Sequence, residues 1–93
     1  MQVTTIDPDY SSQTLEPSSE SQQSTAITTG SGLIRIATTV HCHIRFRANP
    51  TATENDLMLP ANHVEIFAFG SGQKVAFLKQ GGGSGEINIT AVD

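Results

Sequence analysis

The sequence predicts a small all-β fold, an antiparallel β-sandwich or barrel with an extended N-terminal arm, on three observations. Val40, Cys42, Ile44 and Phe46 alternate with His41, His43, Arg45 and Arg47, and a period of two sustained that long is a strand with one buried face. Further short apolar segments follow at intervals of about 8 to 12 residues, separated by Gly, Pro and Asn, which is the punctuation of sandwiches and barrels. No window beyond Thr25 places its apolar residues at helical spacing.

The chain opens on residues 1–24, in which Asp7, Asp9, Glu16 and Glu20 meet no lysine or arginine. These four acids account for the whole formal charge of -4, since from Thr25 onward Glu54, Asp56, Glu65, Glu86 and Asp93 balance Arg35, Arg45, Arg47, Lys74 and Lys79. The break predicts an acidic, polar arm over 1–24 and a neutral β-sandwich body over 25–93. Leu15 is the one aliphatic residue between Tyr10 and Thr25, so this stretch has little apolar surface with which to offset its ordering entropy. It reads either as a disordered tail or as an arm ordered on a neighbouring subunit through Val3, Ile6, Tyr10 and Leu15.

In the body, strands are expected over Leu33–Ala37, Val40–Arg47, His63–Phe69, Lys74–Gln80 and Glu86–Val92, all rich in Val, Ile or Phe. Shorter ones are expected over Ala26–Thr29 and Leu57–Leu59. Gly30-Ser31-Gly32, Gly70-Ser71-Gly72 and the Gly81–Gly85 run read as turns or hairpins, because glycine reaches positive φ without strain. Pro50 and Pro60 bracket the longest connection, and a central strand would tolerate neither. The expected core is Val40, Cys42, Ile44, Phe46, Ile66, Val75, Phe77, Ile87 and Ile89.

With 93 residues the chain accommodates one hydrophobic core. A pI near 5.1 disfavours a dedicated nucleic-acid binder, which needs a basic surface for phosphates. The opening MQVTTIDPDY has neither a basic flank nor an apolar run, so no signal peptide and no membrane association are expected. A single cysteine, Cys42, forms no internal disulfide.

Several groupings resemble chemical motifs. His41 and His43 share a strand face while Cys42 points the other way, so at most two of the three can meet one ion. The positions where a cupin would supply its glutamate hold Arg47 and Ala48, and no metal or other cofactor is expected. Gly70–Lys74 lacks the spacing and following helix of a phosphate loop. Cys42 lies on the apolar face and is expected to be an inert thiol. No nucleophile and base stand in a catalytic pattern, so a non-enzyme is expected. What remains is a stripe about 20 Å long on one strand face, His41, His43, Arg45 and Arg47. Arginine forks of this kind fit the carboxylates of a protein partner.

The runs Ala37–Thr53, Leu57–Phe69, Gly72–Gln80 and Gly85–Asp93, read in that order, resemble small structural proteins from virions of tailed bacteriophages, particularly those infecting cyanobacteria and marine bacteria. The resemblance covers about two thirds of the chain, rests on structural punctuation, and carries over no active-site residue. It implies a β-sandwich virion protein assembled in the host cytoplasm. The acidic arm and small neutral body are similar to head decoration, or cement, proteins that bind the major capsid protein and bridge neighbouring capsomers. On that footing the partners are the major capsid protein, met through the stripe and the arm, and further copies of the chain in a small cyclic oligomer, with a trimer the leading expectation. The alternative is a tail- or fibre-associated module that recognises host surface glycans, against which stands the lack of tryptophan.

Overall fold

The computed structural model describes residues 12–92. They form eight strands: β1 Ser12–Leu15, β2 Gln22–Gln23, β3 Leu33–Thr38, β4 Cys42–Arg47, β5 Leu57–Leu59, β6 His63–Ala68, β7 Lys74–Lys79 and β8 Ile87–Val92. No helix occurs among the described residues, so the all-β expectation is met.

The strands lie in two antiparallel sheets, ordered β1-β8-β3-β6 and β2-β7-β4-β5. The pairs β4·β5, β3·β6, β2·β7 and β1·β8 are the successive rungs of one long hairpin. Rolling that hairpin over creates the two remaining pairings, β3·β8 and β4·β7. The sandwich is thus an eight-stranded jelly roll.

Alternation along each strand builds the core. Ile34 and Ile36 of β3, Cys42 and Ile44 of β4, Val75 and Phe77 of β7, and Ile87, Ile89 and Ala91 of β8 are buried between the sheets, with Ile27, Val40, Leu59 and Phe69 closing the layer. Phe46 is half-buried and meets Phe67 and Phe69 edge-on, each at 5.4 Å between ring centroids, the T-shaped geometry that aromatic quadrupoles favour. Every buried side-chain polar atom among the described residues has a hydrogen-bond partner, as a small core requires.

The expected boundary at residue 24 falls inside this sandwich. Segment 12–24 supplies an edge strand to each sheet, and Leu15 packs on the chain's own core. An edge strand can be this polar because its backbone is satisfied by one neighbour and its outward side chains by one another. Ser12 Oγ lies 2.9 Å from Thr90 Oγ1, the Asn88 amide donates to Thr14 Oγ1 at 3.0 Å, and the Thr25 N–H donates to the Gln13 side chain at 3.0 Å. Ala26–Thr29, expected as a strand, instead follows β7 without a ladder: Ile27 N–H donates to Gln73 O and Gly72 N–H to Ile27 O.

Two further expectations are corrected. Gly70–Gly72 and Gly81–Gly85 are not hairpin turns, because β6 and β7, like β7 and β8, belong to different sheets. The glycines carry the chain across the sandwich, with Gly72 at φ 90° and Gly83 at φ 89°. The actual hairpin is β4·β5, closed by the 48–56 loop. Ile66 is also not in the core. It pairs with Arg35 on the outer face, while Phe67 pairs with Ile34 and faces inward.

Candidate partner-binding surfaces

β4 places His43, Arg45 and Arg47 on the outer face of its sheet by the alternation that sends Cys42, Ile44 and Phe46 inward. His41 precedes the strand, and its Nδ1 accepts the Ala61 N–H at 2.9 Å. The expected stripe is nevertheless not one open surface, because the 48–56 loop folds back over its middle. Pro50 and Ala52 are buried in that fold. Gln23 donates to Pro50 O at 2.7 Å, and the Ala52 N–H donates to Ser21 Oγ at 2.8 Å.

His43 is the residue the loop covers, at 5% exposure. Its Nδ1–H donates to Asp56 O at 3.0 Å, and Nε2 lies 2.9 Å from Gln80 Oε1. With both ring nitrogens facing oxygen acceptors, the doubly protonated ring is favoured. The bond to the Asp56 carbonyl is the main cause that raises its pKa, followed by Gln80, against the opposing effect of burial and with help from the nearby Glu54 and Asp56 charges. Asp56 is fixed in turn: its carboxylate accepts the Thr53 N–H at 2.8 Å and lies 3.8 Å from the half-exposed Arg45 guanidinium. That contact is the sole ion pair among the described residues. His43, Arg45 and Asp56 therefore form an internal clasp, and Arg47, opposite Lys74, is the exposed cation left at one end of the stripe.

Of the arm residues expected to grip a partner, Val3, Ile6 and Tyr10 lie outside the described residues, and Leu15 is spent on the chain's own core. Cys42 is fully buried. Burial pushes its thiol pKa up, although a contact with Thr38 Oγ1 at 3.6 Å and the charge of Lys79 act the other way. No group of three potential metal-ligating side chains occurs among the described residues.

The chain matches no family model, no curated protein and no solved structure.

The sequence reading missed a different surface. The large exposed hydrophobic side chains are Leu33 at 37%, Leu57 at 57%, Met58 at 46% and Val64 at 49%. Leu57 and Met58 are on β5, Val64 is on β6, and Leu33 pairs with Ala68 of β6. Val64 and Leu33 stand on the outer face of the β1-β8-β3-β6 sheet, on and beside its edge strand β6, whereas Met58, opposite His43, stands on the outer face of the other sheet and Leu57, opposite Ile44, at its β5 edge. β1 and β2 are the edge strands on the opposite side. A depression of about 370 Å³ lined by Ala37, Asn62, His63, Val64 and Asn88 adjoins β6. Its one sequence signal was the run His63–Ala68, where Val64-Ile66-Ala68 and Phe67 compete for the inward face.

Proposed function

We propose that this chain is a non-catalytic assembly protein, a capsid decoration protein of a tailed phage that binds the major capsid protein and bridges neighbouring capsomers. The observation that carries the reading is that the large exposed apolar side chains, Leu57, Met58, Val64 and Leu33, sit on or beside the edge strands β5 and β6. Single exposed hydrophobics are ordinary, whereas several on or beside two edge strands suit a surface that is covered by protein. The virion assignment rests on the resemblance of the body to phage structural proteins. The jelly roll agrees with it, as an architecture common in capsids but shared with lectins and cupins. The Arg47 and Lys74 end of the sheet supplies cationic contacts suited to capsid carboxylates. The four phenylalanines are buried or half-buried, so none offers a sugar a stacking face, and this disfavours the glycan-binding alternative.

Phage heads assembled without this chain test the proposal. Such heads are expected to leak DNA at lower temperature than normal heads, and added purified chain is expected to restore their resistance. Heads of undiminished resistance, with the chain recovered on tails, would overturn the capsid reading.

A further inference from the structure

Among the described residues β6 has a strand partner on one side only, β3. The strand is six residues long, contains no proline and is flanked by exposed apolar side chains. Such an edge is a template for another strand.

The direction of its unused backbone groups follows from the register with β3. The Phe69 N–H donates to Gly32 O at 2.8 Å, so position 69 faces β3. Antiparallel hydrogen bonding alternates with a period of two. Positions 67, 65 and 63 therefore aim their N–H and C=O at β3, and Val64, Ile66 and Ala68 aim theirs outward.

A twofold axis perpendicular to the sheet keeps both faces continuous only where residues of like parity are paired. Two registers then centre on β6. One sets Glu65 directly opposite Glu65 of the second copy, and like charges directly opposed are unfavourable. The other sets Ile66 opposite Ile66, Val64 opposite Ala68 and Glu65 opposite Phe67, and it uses the outward groups of Val64, Ile66 and Ala68 for reciprocal hydrogen bonds. It also produces apolar rows across the outer face, in which Leu33 and Ala68 of one copy continue into Val64 and Ala37 of the other.

We propose that the chain forms a twofold dimer through antiparallel pairing of β6 with β6 of a second copy, centred on Ile66, joining two four-stranded sheets into one of eight strands. The symmetry is then twofold in place of the expected trimer. An edge pair of this length makes a small interface, so the dimer is concentration-dependent. The inference does not depend on the capsid reading, because it is tested on the free chain.

The experiment measures the mass of the full chain by light scattering or sedimentation over a dilution series, together with amide exchange and isotope-filtered NMR on mixed labelled and unlabelled protein. The expected result is a doubling of mass at high concentration, lost on dilution. The amides of Val64, Ile66 and Ala68 should be protected only in the dimer, and a close Hα–Hα contact should appear between Glu65 of one copy and Phe67 of the other. Val64→Lys, at a site already half exposed, should leave the fold intact by its NMR dispersion and return the monomer mass. A chain that stays monomeric at the highest soluble concentration would overturn the proposal. So would a dimer in which those three amides exchange freely.

Discussion

At the level of single residues, the sharpest constraint is steric. A Cβ at Gly85 would collide with Thr39 Oγ1 and lie 2.6 Å from Val40 Cγ1, whereas one at Gly82 would meet nothing within 4 Å. Gly85→Ala is therefore expected to cost about 1–3 kcal/mol, the usual penalty for overpacking, and Gly82→Ala to stay within about 0.5 kcal/mol; paired urea titrations check this. Cys42→Ser puts a hydroxyl in place of a buried thiol beside Thr38 and is expected to cost about 1–3 kcal/mol. In the native state Cys42 should not react with a thiol reagent. His43 gives a pH signature. Its folded pKa is raised, so the stability it contributes is fully present below the unfolded value of about 6.5 and is lost as pH rises through the folded value. The stability advantage of the native chain over His43→Gln should therefore shrink as pH rises from below about 6.5 through the raised folded value, and an advantage that grew with pH would contradict the clasp. Composition could not reveal this role. Period-two alternation put His43 on the outer face correctly, but only the return of the 48–56 loop determines that this face is covered there.

Among the elements, the informative ones are those that alternation does not describe. β4 was legible because its inward positions are all apolar and its outward ones all polar or charged. β6 was not, because Glu65 shares a face with Phe67. Reading the charge as outward places Ile66 in the core. The Phe46–Phe67–Phe69 aromatic contacts settle the competition the other way, leaving Glu65 at the exposed rim. β1 and β2 were illegible for another reason: a strand that needs one buried apolar side chain, Leu15, looks like a tail. Their role gives a direct prediction. A chain that begins at Thr25 lacks the edge strands of both sheets and is expected to lose more than about 3 kcal/mol, a large share of a small domain's stability. A chain that begins at Ser12 keeps both strands and is the control. Thermal melts of the two would distinguish an integral segment from a dispensable arm.

For the whole molecule, the class of fold was readable and its topology was not. Five of the strands announce themselves, but turn glycines look alike whether they close a hairpin or cross between sheets, and that choice decides whether the sheets form a meander or a jelly roll. The topology predicts slow folding. Ser12 and Thr90 are bonded across a separation of 78 residues, and nonlocal pairing of this kind places folding in the millisecond-to-second range. Refolding already complete within the dead time of a stopped-flow mixer would be inconsistent with it. The same pairing has a mechanical consequence. Because Ser12 lies opposite Thr90, the segments entering β1 and leaving β8 emerge at the same end of their ladder. A pull applied between those two points loads the register pairs one after another, as a zipper is opened, and not all together in shear. The sandwich is thus mechanically weak when stretched between those two points, and a tension-bearing tether would need to grip it elsewhere, across the central β3 and β4.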